Sequence, residues 1–358
     1  MKQVDLFLQS YCYKHHYLHA PGYDVFAFLE RTAADGFTGV SINLNGPNYR
    51  QLSGTSIAHQ NAVAKKLRDL SLRCDIETSG TDLPHLQTMI ELCQRLGAEQ
   101  LRTYMRHGGT VAETVARTTA DLRVAAPHFA RAGLNLLLEN HEDFTGAEMV
   151  QILSAVEHPA VGGLYDYGNS MMVGEEPLTA LAAMLPYVRS VHLKDHACRE
   201  TAAGEKLILG VPIGSGVLPI AEATRRLVDA GLDRILMSSV WAYQAPVRDW
   251  RADGAWGKGV FRPEPGPYDQ LQRPWDAAAL AVSDPRHLCA LEEQAVRQGQ
   301  TWLRADLSEE PAQRQASRRG TPRRSVDLTF ALPPFCGRPS RAALVPQWFW
   351  CHEDQCAR

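Results

Sequence analysis

Three polar residues stand at the ends of short apolar runs. Glu139 closes the run in LLLENHEDF, Asp166 the run in LYDYGN, and His192 lies in VHLKD. A carboxylate beside an apolar core costs free energy unless it is paired. Two carboxylates and an imidazole delivered by successive elements are satisfied together by one divalent cation. Singly, each has an ordinary role: Glu139 as an arginine partner, Asp166 as a turn cap, His192 as a satisfied core histidine. Their recurrence in register is what points to a metal site.

The elements that would hold them repeat along the chain. Eight strand-like runs occupy Val4–Gln9, Phe37–Leu44, Cys74–Thr78, Gln100–Tyr104, Leu134–Glu139, Val161–Asp166, Val188–Leu193 and Arg234–Ser239. Most are continuous rather than alternating, as in parallel strands covered on both faces. Amphipathic segments separate them, several opening on a capping residue and stopping at glycine, such as Asp24 to Gly36. Eight βα units predict a (βα)₈ barrel. A doubly wound open sheet would want a glycine-rich loop after the first strand, where Gln9-Ser-Tyr-Cys-Tyr-Lys-His-His16 stands instead.

In a barrel, chemistry gathers at the C-terminal strand ends and the loops beyond. Glu139 is then the candidate base, with His141, Lys194, His107 and Glu142 as further proton carriers. His15 and His16 after strand one are placed to hold a substrate hydroxyl, or serve as plain loop histidines. Arg106, His107 and Lys194 are placed to meet substrate charge, and Lys194-Asp195 equally to form a surface ion pair. Trp241 opens a tryptophan-rich stretch, 241–284, expected to be an insertion after strand eight. Its tryptophans would stack on a substrate ring or form a lid's own small core. A last helix from Asp284 to Ala305 would close a catalytic domain spanning 1–305. Beyond it, 306–358 is Arg- and Pro-rich, with Arg318-Arg319, Arg323-Arg324 and WFW at 348–350, and is expected to be disordered.

Bulk properties narrow the partners. The 358 residues are 45% hydrophobic and 22% charged, with a formal net charge of −3. That balance gives no electrostatic reason to expect nucleic acid or an anionic membrane, so a small molecule is the expected partner. No apolar run reaches the roughly 18 residues of a membrane span, and MKQVDLFLQSYCYKHH does not read as a signal peptide. Cys12, Cys74, Cys93, Cys198 and Cys289 show no metal-like spacing and read as small buried hydrophobes in a reducing compartment. The expected location is cytoplasmic.

The segments LLLENHEDFT, GGLYDYGN and RSVHLKD, with VPIGSG at 211–216, resemble the sugar phosphate isomerase/epimerase family and its xylose-isomerase-like barrel. The resemblance covers about 1–245 and extends to 285–305. It implies one Mn²⁺, Mg²⁺ or Co²⁺ ion held by Glu, Asp, His and a second Glu. Glu139, Asp166 and His192 match three of these. At the fourth, on strand eight, this chain has Ser238. The family implies isomerisation or epimerisation of a keto-sugar through an enediolate, which uses a base on each face of the substrate. The alternative is decarboxylation of a β-keto sugar acid, which needs no second carboxylate. A zinc endonuclease of the same fold is disfavoured by the charge and by the expected lack of extra ligands on strands two and three. A non-catalytic sugar binder would be expected to hold no metal. Barrels of this kind often pair, so a homodimer is compatible with the reading.

Overall fold

The computed structural model describes residues 4–200, 206–239, 244–246 and 284–308. Eight parallel strands close into a barrel: β1 (Asp5–Gln9), β2 (Gly39–Asn43), β3 (Arg73–Glu77), β4 (Gln100–Thr103), β5 (Asn135–Glu139), β6 (Val161–Asp166), β7 (Val188–Leu193) and β10 (Arg234–Met237). β1 closes the ring by pairing with β10 on one side and β2 on the other. All eight expected runs are strands, each end within two residues of the expected one, with β3 starting one residue earlier at Arg73. No helix among the described residues is long and apolar enough to cross a membrane.

Helices cover the barrel: α1 (Lys14–His19), α2 (Val25–Ala34), α3 (Ile57–Asp69), α4 (Leu83–Leu96), α5 (Val111–Ala132), α6 (Gly146–Val156), α7 (Pro177–Met184), α8 (Ile220–Asp229) and α9 (Pro285–Ser308). Local chemistry fixes their ends. Asp24, Ser56 and Asp82 accept N-terminal amides of α2, α3 and α4. Thr110 with Glu113 and Thr145 with Glu148 form reciprocal caps on α5 and α6. Gly97 and Gly133 end α4 and α5 in the left-handed conformation. α9 closes the wall: its Gly299 lies so near β10 that a Cβ there would stand 2.6 Å from Met237 Sδ. This helix runs three residues beyond the expected Ala305.

The barrel interior is layered. At its base Arg234 spans both carboxylate oxygens of Asp75 at 2.7 Å and reaches Glu99 at 2.5 Å. The Phe7 ring lies against the Arg234 guanidinium and over Gly39 of the next strand, whose absent Cβ would stand 2.4 Å from the ring. The top layer is polar and holds the candidate site.

Two features escaped the sequence reading. One is the short helix α1 within the loop after β1. The other is a small antiparallel sheet of β8 (Asp195–Glu200), β9 (Lys206–Val211) and β11 (Gln244–Pro246) beyond β7. Asp195 organises this region by accepting the amides of His196, Gly214, Gly216 and Leu218. Apart from 244–246 and Asp284, the stretch expected as an insertion lies outside the described residues, as does the tail from 309.

Candidate metal centre

Parallel pairing puts Asp166 level with His192, and Glu139 one strand further round. All three side chains are buried at the C-terminal end of the barrel. His192 Nδ1 lies 2.9 Å from Glu139 Oε1 and 3.6 Å from Asp166 Oδ2. On its other side Nε2 lies 3.0 Å from Glu77 Oε1. The imidazole is therefore clamped between two carboxylates and turned toward a third.

Each carboxylate has its own support. Asp166 Oδ1 accepts the amides of Gly168 and Asn169 at 2.9 and 3.0 Å, which leaves Oδ2 facing inward, 2.8 Å from Lys194 Nζ. Glu139 Oε1 accepts from Asn169 Nδ2 at 3.3 Å, and its Oε2 lies 2.9 Å from Arg102 Nε. Glu77 accepts from Gln9, Ser41 and Asn43 and pairs with Arg102 Nη2 at 3.0 Å. Arg102 thus bridges Glu77 and Glu139.

These contacts set the protonation states. Burial pushes the Glu139 and Glu77 carboxyls up, but Arg102 and His192 outweigh it and hold both below the usual range. Asp166 is likewise raised by burial and lowered further by Lys194 and His192. For His192 burial favours the neutral ring, yet Glu139 and Glu77 win and push it up to about 10. Three carboxylates then face three cations, Arg102, Lys194 and the imidazolium. A raised histidine stabilises the fold fully below its ordinary value near 6.5, and that contribution fades as pH rises through about 10. The melting temperature of metal-free protein is expected to fall across that window, with His192→Gln flattening the fall; an equal slope in both proteins would refute it.

The residues fit a divalent ion. Glu139, Asp166 and His192 each offer an atom within 4.8 Å of the others. Glu139 Oε2 and Asp166 Oδ2 are buried without a well-formed hydrogen bond, the first facing Arg102 and the second Lys194 and His192. Two oxygens and one nitrogen suit magnesium, manganese, cobalt or zinc. Nε2–H donated to Glu77 would leave Nδ1 bare toward the ion, the usual way a carboxylate fixes a ligating tautomer.

The sequence pattern of the xylose isomerase-like TIM barrel family matches residues 29–260. The chain belongs to this family. Two curated relatives are similar over about half of it. The uncharacterized protein YihM of Escherichia coli K12 is 28% identical over 188 residues, 50% of this chain and 58% of that protein. The 3-oxo-isoapionate decarboxylase of Pectobacterium atrosepticum is 26% identical over 193 residues, 54% of this chain and 68% of that protein. Among solved structures, the IOLI protein with a zinc atom superposes with a TM-score of 0.60 at 13% identity, covering 85% of this chain and 98% of that one. An L-ribulose 3-epimerase superposes with a TM-score of 0.56 at 15% identity, covering 90% and 100%.

Within this xylose isomerase-like barrel the other expected site residues scatter. Ser238 turns inward at the end of β10 and donates to Gln9 Oε1. Lys194 joins the centre through Asp166 and Asn169 Oδ1. His141 stacks flat on Tyr104, centroids 3.8 Å apart, and burial lowers its pKa. Arg106 Nη2 donates to the Tyr104 hydroxyl. His107 is drawn aside by Asp121 at 2.8 Å, and by Thr81. His15 stacks on His19, its ring nitrogens bare and its pKa brought down to about 4 by burial and by Lys14. Trp241 lies outside the described residues.

Glu77 and Arg102 were missed. Glu77 ends β3 inside the barrel, where it supports His192 and lies outside the group of Glu139, Asp166 and His192 that could hold an ion. The signal was present as polar or charged residues at alternate positions, Arg73, Asp75 and Glu77 on β3, Gln100 and Arg102 on β4. In a closed barrel that period of two marks the inner face.

Proposed function

We propose that the chain is a divalent-metal-dependent enzyme that releases CO₂ from a β-keto sugar acid. The observation that carries this reading is the end of β10, where Ser238 donates to Gln9 in the place of a second glutamate. Epimerisation removes a proton from carbon on one face and returns one on the other, which requires two bases. Glu139 is the candidate base, and Arg102 holds it below the ordinary carboxylate range, a setting that weakens it as a base. Decarboxylation asks for no base at carbon. The C–C bond to the carboxylate breaks, CO₂ leaves, and the electron pair passes to the neighbouring carbonyl as an enolate. A proton then returns to carbon.

Glu139, Asp166 and His192 would hold the ion, which when bound supplies Lewis-acid polarisation of a carbonyl. Arg102 and Glu77 keep the ligands ionised and oriented. Lys194, beside Asp166 and partly exposed, would return the proton. Arg106 beside Tyr104 supplies a cation for the substrate carboxylate. The decarboxylase from Pectobacterium supports the reading as a relative.

Isomerisation or epimerisation of a keto-sugar is the second reading, favoured by the likeness to the L-ribulose 3-epimerase. The two part in one experiment. Full-length protein with Mn²⁺ is offered β-keto sugar acids and neutral keto-sugars in D₂O, following CO₂ and C–H exchange. Expected is CO₂ from the acids with one deuterium placed in the product, reduced at least about a hundredfold by Lys194→Met. Exchange or epimer from neutral sugars without CO₂ would overturn it.

A further inference from the structure

Away from the barrel axis, α1 and α9 bring together a second group of ligand-type side chains. Cys289, Glu292 and Glu293 lie on one face of α9, spaced i, i+3 and i+4. His16 of α1 faces them, with Nδ1 2.8 Å from Glu292 Oε2 and Nε2 3.4 Å from Glu293 Oε1. His16, Cys289 and Glu292 each offer an atom within 4.8 Å of the others. The imidazole is already aimed: it meets Tyr13 edge-on and tilts against Tyr23, both at 4.9 Å between centroids.

Glu292 and Glu293 bring two carboxylates to this group, with Lys14 acting on Glu292 and Arg31 on Glu293. Glu292 is 2% exposed, and its oxygens accept the amides of His15 and His16. Two carboxylates and a thiol converge on one imidazole, while Arg31 stands 3.5 Å from Glu293 at the periphery.

We propose that His16, Cys289 and Glu292 form a second divalent-metal site, of the zinc type, that fastens the closing helix α9 to α1. One nitrogen, one sulfur and one carboxylate oxygen form a tetrahedral set that a thiolate biases toward zinc and away from magnesium or manganese. Tetrahedral bonds of ordinary length set such ligand atoms about 3.3–3.6 Å apart, so small side-chain rotations suffice. Binding releases the thiol proton to solvent, and Glu293 or water completes the shell. Cys289 is partly exposed, which gives the ion a way in. The site stands apart from the central carboxylates, which contain no sulfur.

Cobalt tests this on the full chain, in an Asp166→Asn background that disables the central site. Co²⁺ added to metal-stripped protein is expected to give a near-ultraviolet thiolate-to-cobalt absorption band. Zn²⁺ should bleach it, and Cys289→Ser should remove it. Zn²⁺ is also expected to slow alkylation of Cys289, mapped by peptide mass, at least tenfold. No thiolate band, a band unchanged by Cys289→Ser, or alkylation indifferent to Zn²⁺ would each overturn the site.

Discussion

Asp166→Asn is expected to lower Mn²⁺ affinity at least about a hundredfold and leave the barrel folded. Asparagine keeps the carbonyl-type oxygen that accepts the amides of Gly168 and Asn169, so the turn after β6 survives. The inward atom changes from a carboxylate oxygen, which ligates, to an amide nitrogen, which does not. Losing even an outer-shell partner of a metal ligand costs ten- to a hundredfold in affinity, and a direct ligand costs at least the upper end. Lys194 loses its ion-pair partner but keeps Asn169 and part of its hydration, so the fold is largely spared. Titration calorimetry of metal-stripped wild type and variant reads the effect; equal affinities would remove Asp166 from the centre.

Arg102→Met is expected to cost about 3–5 kcal/mol of stability. The guanidinium is 7% exposed and touches Glu77 and Glu139, each 1% exposed. Removing one member of a buried ion-pair network strands the charge of the others, and costs of that size are typical. With Arg102 gone, burial is opposed at both glutamates by His192 and by neutral donors, and both carboxyls rise. Adding Glu77→Gln removes one stranded charge and should recover part of the loss. Urea unfolding of the two single variants and the double variant measures this; simple additivity of the losses would contradict a shared network.

The barrel was legible because its strands are continuous apolar runs between capped helices, a pattern set by local chemistry. Glu139, Asp166 and His192 were legible for a related reason: each is polar at the end of a run whose other residues are not. Glu77 and Arg102 carried a weaker signal, since a charged residue inside a strand speaks only once the barrel is known to close and its inner face can be counted off. The aside of His107 toward Asp121, the stacking of His141 on Tyr104 and the four amides held by Asp195 depend on long-range packing. Cys289 shows the same limit. Spacing along the chain gave it no partners, whereas the docking of α9 on α1 sets it beside His16, 273 positions away in sequence.

The central claim is that one divalent ion sits among Glu139, Asp166 and His192. Crystals of the full chain grown with Mn²⁺ and measured on both sides of the manganese absorption edge test it directly. An anomalous peak is expected about 2.1 Å from Asp166 Oδ2 and His192 Nδ1, with Glu139 completing the protein ligands and Lys194 withdrawn from Asp166. A map without that peak, in which Lys194 still rests on Asp166 Oδ2, would contradict it.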